Sequence, residues 1–314
     1  MVTRGLYFDS ATLYYRAFFA VPSSVKAPDG TPSGAVRGFL DMVSSLVTQF
    51  PAQHVVFAWD DDWRPRWRVD LIPSYKTHRL EPDARIVGTV EEDIPDDLSP
   101  QITAIAQILD AIGVPRLGEV GFEADDILGS LVAQYDHPAD IVTGDRDLFQ
   151  LVSNAAQTRV LSITKGIKNL AIVDDEYLVE KYGVAGSQYA DFAALRGDAS
   201  DGLPGVKGIG EKTASSLIAR WESIEKLMDA VRADNEEVAG SARTKLMAHA
   251  HELANIQKVV RVRTDAKVTR KLIPYANVKD AEVLSDLATE WGITRQVNAL
   301  LKALNLAQLD SVKS

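Results

Sequence analysis

Short apolar runs, each closely followed by an aspartate, alternate with longer segments of helical periodicity in the first half of the chain. The runs cover residues 5–8, 55–59 and 140–143, and apolar residues recur at helical spacing in residues 36–50 and 102–112. Strands that alternate with helices of this length form a mostly parallel sheet with helices on its faces. The sequence therefore predicts an α/β fold of this kind.

The alternation of strands and helices does not continue to the end of the chain. Two more strands are predicted at residues 159–163 and 171–173, but after residue 183 helical periodicity dominates. We therefore predict two domains, an α/β domain over residues 1–183 and a helical domain over residues 184–314.

The composition limits the chemistry that this chain can carry. The chain has no cysteine, which excludes disulfides, thiolate nucleophiles and cysteine-bound zinc. Its 34 Lys and Arg against 44 Asp and Glu give a net charge of −10, which argues against a protein that coats nucleic acid indiscriminately. No apolar run is long enough to span a bilayer. We therefore expect a cytoplasmic enzyme with no membrane partner.

Acidic residues follow the predicted strands at one edge of the sheet. Ligands bind at this edge in open parallel sheets, and seven acids follow a strand or lie in the first turn of a helix: Asp9, Asp60, Glu123, Asp125, Asp126, Asp145 and Asp147. Carboxylates gathered there without counter-charge would resist ionisation. Bound Mg²⁺ or Mn²⁺ would relieve this repulsion, and two such ions about 4 Å apart suit displacement at phosphorus. The sequence predicts a metal-dependent phosphodiester hydrolase.

A glycine-rich segment lies near the start of the predicted helical domain. Residues 197–202 contain a second acidic pair, Asp198 and Asp201, and residues 203–214 alternate glycine with lysine. Glu211 stands where a nucleotide-binding P-loop requires lysine, so we predict a helix-hairpin-helix over about residues 195–220. Four of its residues are expected to contact DNA phosphates: Lys207, Gly208, Gly210 and Lys212.

Residues 63–80 combine positive charge with aromatic side chains. Five basic residues oppose Asp70 alone, and Trp63, Trp67 and Tyr75 are interleaved with them. Aromatic and basic side chains together suit unpaired nucleotides. We predict an arch over residues 62–98 that faces DNA with these residues: Arg64, Arg66, Arg68, Tyr75, Lys76 and Arg79.

Taken in order, these motifs resemble the 5′-nucleases of the flap endonuclease family, and in particular the 5′-exonuclease domain of bacterial DNA polymerase I without its polymerase. The resemblance rests on Asp9, residues 123–126, 144–147, 197–201 and 208–213. It implies a PIN-like nuclease core, a helical arch and a helix-hairpin-helix variant that holds K⁺. It also implies two or three Mg²⁺ or Mn²⁺ ions and structure-selective cleavage of DNA with 5′ flaps, 5′ ends or nicks in replication and repair.

The resemblance also implies roles for individual residues. It assigns metal binding to eight acids: Asp9, Glu123, Asp125, Asp126, Asp145, Asp147, Asp198 and Asp201. Among them, Asp125 and Asp145 are expected to be essential for cleavage. Residues 75–79 match the arch motif, so Lys76 and Arg79 would contact the scissile phosphate. Arg16 and Gly34 match a further DNA-contacting surface.

One ligand position and the substrate stay open at this point. The second strand departs from the family pattern, so that Asp60 or Asp61 could be the ligand, and the strand-end position favours Asp60. An RNA-cleaving PIN nuclease would share the core chemistry, and an inactive DNA-binding scaffold would keep only the hairpin and arch. A haloacid dehalogenase phosphatase is disfavoured because Ala11 occupies the position of its second aspartate. We expect a monomer associated with the nucleoid.

Overall fold

The computed structural model describes residues 4–82, 92–135, 137–238, 240–268 and 277–309. Its centre is a sheet with the strand order β3-β2-β1-β4-β5-β6. The strands are β1 (Gly5–Asp9), β2 (His54–Ala58), β3 (Arg116–Leu117), β4 (Ala139–Thr143), β5 (Thr158–Ser162) and β6 (Ala171–Val173). The first five pair in parallel, and β6 runs antiparallel to β5. The predicted mostly parallel sheet is confirmed.

Helices flank this sheet and continue beyond it. In chain order they are α1 (Ser10–Ala20), α2 (Gly34–Gln49), α3 (Arg66–Leu71), α4 (Ser99–Ile112), α5 (Ala124–Gln134), α6 (Asp175–Tyr182), α7 (Gly186–Arg196), α8 (Glu211–Trp221), α9 (Ile224–Arg232), α10 (Gly240–Ala248), α11 (Ala250–Val260), α12 (Ala281–Glu290) and α13 (Thr294–Ala303). In the described ranges, no helix combines the length and the apolar character needed to cross a bilayer.

Both faces of the sheet are buried, because successive side chains of a strand point to opposite faces. On β1, Leu6 and Phe8 join one apolar core, and the Phe8 ring stacks on Phe57 with 4.9 Å between centroids. Tyr7 joins the other core together with Ile141 of β4. Strands covered on both sides lack a polar face, which explains why they appear in the sequence as continuous apolar runs.

The last two helices do not stay with the rest of the predicted helical domain. The apolar side chains of α12 and α13, including Leu284 and Leu300, pack in the same core as Leu6 and Phe8. There α12 contacts α4, and α13 contacts α2. The helical part that begins at residue 184 therefore divides in space, because its final helices bury their apolar faces against helices α2 and α4 of the α/β domain.

Candidate active site

An acidic cavity of about 500 Å³ opens at the carboxyl ends of β1, β2 and β4. Five of the predicted acids line it: Asp9, Asp60, Glu123, Asp125 and Asp145. Lys76 and Arg79 also line this acidic cavity and bring positive charge to it. The parallel strands end at a common edge, so acids that lie more than a hundred residues apart in sequence face the same space.

Asp9 and Asp145 are connected through a threonine that sequence analysis did not identify. Asp9 ends β1 and caps α1 by accepting from the backbone N–H of Thr12 at 3.2 Å. The hydroxyl of Thr143 donates to Asp9 Oδ2 at 2.7 Å, and its oxygen accepts from the backbone N–H of Asp145 at 2.9 Å. Thr143 thus fixes the ends of β1 and β4 relative to each other. The sequence shows that Thr143 ends a predicted strand two residues before Asp145, but not which neighbouring strand its hydroxyl bonds.

The third strand end contributes Asp60 rather than Asp61. Asp60 lines the acidic cavity, and its Oδ1 accepts from the backbone N–H of Ala124 at 2.8 Å. This bond ties β2 to the first turn of α5, which carries Asp125. The exposed side chain of Asp61 instead lies against Gly118, where a Cβ would come within 2.4 Å of it. The geometry therefore supports Asp60 as the candidate ligand.

Glu123 is held by the base of the predicted arch. Its carboxylate forms an ion pair with the Lys76 ammonium and accepts from the Tyr75 hydroxyl at 2.9 Å. Lys76 has a φ of 48°, a left-handed conformation that costs energy for a residue with a side chain. The backbone N–H of Lys76 donates to the Asp201 carbonyl at 3.0 Å, so the helical part of the chain supports this conformation.

The electrostatics of the acidic cavity favour a bound cation. Burial raises the pKa of Asp60 to about 6, although Lys76 opposes the shift. Burial, followed by repulsion from Asp201, raises the pKa of Asp145 to about 6. Burial and then Asp145 hold the pKa of Asp125 well above its ordinary value. Burial also raises the pKa of Glu123. A divalent cation would favour the ionised forms of all these carboxylates.

A second group of acids surrounds Asp147. The pKa of this carboxyl is raised well above its ordinary value by burial, then by repulsion from Asp145, Asp201 and Asp198. Among the described residues, its buried Oδ1 has no hydrogen-bond partner, as expected of an oxygen that would bind a cation. In the described ranges, no three histidine or acidic side chains are already arranged around one point as ligands. The carboxylates are gathered but would still need side-chain adjustment to bind an ion.

Asp126 differs from the other acids because its carboxylate already has partners. Arg68 donates to both of its oxygens at 2.7 Å, and the backbone N–H of Arg263 donates to Oδ1 at 2.8 Å. The side chain is 0% exposed and does not line the acidic cavity. Metal binding by Asp126 stays a prediction, and in this structure both of its oxygens are engaged by these donors.

The described part of the arch packs onto the protein instead of presenting all its predicted residues to DNA. Arg64 is buried and donates from Nε to the Tyr75 carbonyl at 2.6 Å. Tyr75 and Arg68 are buried as well, so these three predicted DNA-contacting side chains do not face solvent in this structure. Arg66 remains exposed and pairs with Asp70 at 2.6 Å. Residues 83–91 of the predicted arch lie outside the described residues.

The predicted helix-hairpin-helix consists of α7, a glycine-rich turn and α8. Lys207, Gly208, Gly210 and Lys212 are all exposed. Gly208 has a φ of 81°, which favours glycine. The ammonium of Lys245 in α10 donates to the Gly208 carbonyl at 2.8 Å. A potassium ion at this oxygen would have to share it with an ammonium group.

Two further predicted DNA-contacting residues are Arg16, within α1, and Gly34, at the start of α2. Arg16 donates from Nη2 to the Thr164 carbonyl at 3.3 Å, and its buried Nε has no partner in the part of the chain that the structure describes. Gly34 begins α2, where a Cβ would approach the Val21 side chain to 3.1 Å. Packing against α1 therefore explains a small residue there. Sequence analysis did not single out Glu92, which also lines the acidic cavity.

Comparisons with known proteins match nearly the whole chain to 5′-3′ exonucleases. Residues 5–183 match the family model of the 5′-3′ exonuclease N-terminal resolvase-like domain, and residues 184–282 match the 5′-3′ exonuclease C-terminal SAM fold. The chain is 48% identical to a 5′-3′ exonuclease of Streptomyces coelicolor over 94% of this chain and 98% of that protein. It is 37% identical to DNA polymerase I of Mycobacterium tuberculosis over 87% of this chain but 28% of that protein.

The fold also resembles that of a solved nuclease. A flap endonuclease of bacteriophage T5, determined in a complex with DNA and metal ions, superimposes with a TM-score of 0.61. The two share 18% sequence identity, and the match covers 96% of this chain and 99% of that chain.

Proposed function

This chain belongs to the 5′-3′ exonuclease family, and we propose that it is a structure-selective, divalent-metal-dependent 5′-3′ exonuclease and flap endonuclease. Its substrates would be DNA with 5′ flaps, 5′ ends or nicks in replication and repair. One observation carries the proposal: carboxylates from three strand ends and α5 share one cavity, where the pKa values of Asp60, Asp125 and Asp145 are raised.

The acids of the cavity would hold two or three Mg²⁺ or Mn²⁺ ions. The ions closest to the reaction would be bound by Asp9, Asp60, Glu123, Asp125, Asp145 and Asp147. A more distant ion would be bound by Asp198 and Asp201. Hard carboxylate oxygens suit these metals, and the unpaired Asp147 oxygen supports the fit. When bound, the ions would supply Lewis-acid stabilisation of charge on the phosphate oxygens.

The chain's own cations would position the DNA. Lys76 and Arg79 line the acidic cavity and would contact the scissile phosphate, where each stabilises negative charge. The exposed lysines Lys207 and Lys212 and the backbone of the hairpin would bind the DNA backbone farther from the reaction. Arg16 would contribute to the same surface. A monomer supplies all these groups, and a DNA substrate implies that the protein acts at the nucleoid.

A flap-cleavage assay tests this function. The protein is incubated with a 5′-flap DNA in Mg²⁺ or Mn²⁺, and parallel reactions contain EDTA or Asp125→Asn. We expect cleavage only by the wild-type protein with metal, while the variant still binds the flap. An RNA of the same shape is the second substrate. Cleavage of the RNA in preference to the DNA would indicate a PIN-type ribonuclease, and no metal-dependent cleavage of either substrate would contradict nuclease function.

A further inference from the structure

A buried ion pair lies behind the wall of the acidic cavity. The Arg68 guanidinium binds the Asp126 carboxylate with two parallel bonds of 2.7 Å, and both residues are at most 2% exposed. Neither side chain lines the cavity or reaches solvent. Because burying two charges is costly, such a pair is a weak source of stability and is often replaceable by apolar residues. Stability alone therefore does not explain why this ion pair lies next to the candidate active site.

The pair joins three separate segments of the chain. Arg68 comes from α3 at the base of the arch, and Asp126 lies in the first turn of α5, where it accepts from the backbone N–H of Glu123 at 3.1 Å. The third segment is the C-terminal end of α11 and the residues that follow it. Its Val259 carbonyl accepts from Arg68 Nε at 3.2 Å, and the backbone N–H of Arg263 donates to Asp126 Oδ1 at 2.8 Å. The arch base, the acid-bearing helix and the helical part of the chain thus meet at one ion pair.

Arg68 is also within reach of the carboxylate that lines the cavity. Its Nη1 lies 3.4 Å from Glu123 Oε1, while Lys76 and Tyr75 bind the same carboxylate. Asp126 holds the guanidinium in a bidentate arrangement that limits its approach to Glu123. Without the Asp126 charge, Glu123 would be the nearest anion to Arg68. Arg68 would then compete with Lys76 for the Glu123 carboxylate, and the side chains of Glu123 and Lys76 would both move from their present positions.

We propose that Arg68 and Asp126 are positioning residues that hold Glu123 and Lys76 in place for cleavage and make their alignment depend on docking of the C-terminal end of α11 and the residues that follow it. This proposal rests on the proposed nuclease function. It gives the two residues roles different from direct DNA and metal contact. Removing partners that orient metal-binding groups typically lowers metal affinity or activity by about 10- to 100-fold.

The test compares two variants of the pair with a matched control. Asp126→Asn removes the charge but keeps the shape, and Arg68→Lys keeps the charge but loses the bidentate geometry. Asp140→Asn is the control, because Asp140 is a buried acid that accepts bonds of 2.7 Å from Arg4 and Arg159. It precedes the end of β4 by three residues and does not line the acidic cavity.

Each protein is assayed for single-turnover cleavage of a 5′-flap DNA at saturating enzyme, across a Mn²⁺ titration, and at a temperature well below its melting temperature. Flap affinity is measured separately without divalent metal. We expect Asp126→Asn and Arg68→Lys to lower the single-turnover rate or the apparent Mn²⁺ affinity at least tenfold, with the dissociation constant for DNA within about threefold of wild type. The control Asp140→Asn should have a lower melting temperature than wild type but a single-turnover rate within about threefold of it.

Two results would overturn the positioning role. One is a rate and Mn²⁺ dependence close to wild type in a folded pair variant. The other is an equal loss of rate in Asp140→Asn, which would trace the effect to general instability. If Asp126→Asn does not fold, Arg68→Lys decides between the same outcomes. Failure of the wild-type protein to cleave would instead contradict the proposed nuclease function.

Discussion

Replacing Asp145 with asparagine should stabilise the metal-free protein while it abolishes cleavage. The pKa of Asp145 is raised from an ordinary value of 3.8 to about 6, first by burial and then by Asp201. Keeping this group ionised at pH 7.5 therefore costs about 3 kcal/mol. Asparagine has no charge, and its Oδ1 can still accept from the backbone N–H of Asp147, which donates to Asp145 at 2.8 Å.

The expected gain can be read from thermal melts in EDTA. For a chain of this size, about 3 kcal/mol corresponds to an increase of about 5 °C in melting temperature. The sign follows from linkage: a carboxyl with a higher pKa in the folded state loses stability as pH rises through the interval from about 4 to 6. The advantage of Asp145→Asn should therefore be nearly complete at pH 7.5 and fall to about 0.5 kcal/mol at pH 4.

Two comparisons make this prediction specific. Asp140→Asn should lower the melting temperature, because Asp140 is buried with two arginine partners. Saturating Mg²⁺ should stabilise the wild-type protein more than Asp145→Asn, since ligands that bind only the folded state stabilise it. A melting temperature of metal-free Asp145→Asn at or below that of wild type at pH 7.5 would refute the view that this carboxylate is strained without a cation.

Three further predictions concern catalysis, pH and the hairpin. Lys76→Met should slow single-turnover cleavage by about 10²-fold with little change in DNA affinity, because the lysine lines the acidic cavity; a purely weakened affinity would contradict this. At limiting Mg²⁺, the cleavage rate should fall below pH 6 by up to about tenfold per pH unit for each displaced proton, since Asp60 and Asp145 have pKa values of about 6 and must lose protons to bind metal. Saturating Mg²⁺ should move this fall to lower pH. Identical pH–rate profiles at limiting and saturating Mg²⁺ would contradict this coupling of metal binding to proton loss. Lys245→Met should weaken flap binding about threefold, because the Gly208 carbonyl loses a charged donor. Lys226→Met, which removes the same charge elsewhere, is the control for this variant. In binding assays at equal ionic strength, the wild-type protein should bind the flap equally well in KCl and NaCl, and a strong preference for K⁺ would contradict the view that the Lys245 ammonium occupies this carbonyl.

The sheet and the gathering of the acids could be predicted because both follow from short-range sequence patterns. Continuous apolar runs mark strands buried on both faces, and parallel strands must end at one edge. Asp9, Asp60 and Asp145 could therefore be placed together before any coordinates. The role of Thr143 could not, because a hydroxyl next to a strand end shows no sign of which neighbouring strand it bonds.

The burial of charged residues was the main feature that the sequence did not predict. Arg68 lies in a basic segment typical of a DNA-facing surface, yet its partner Asp126 is 58 residues away. A charge pattern does not specify which arginine finds a buried acid. Likewise, the periodicity of α12 and α13 shows an apolar face but not what covers it, and the packing of these helices on α4 and α2 is a tertiary feature.

The most direct test of the acidic cavity as a metal centre is a crystal of the protein grown with Mn²⁺ and measured for anomalous scattering. Anomalous peaks should lie between the carboxylates of Asp9, Asp125 and Asp145, with at least one further peak near Asp147. Peaks confined to surface residues, with these carboxylates turned away from one another at saturating Mn²⁺, would contradict a divalent-metal site at the strand ends.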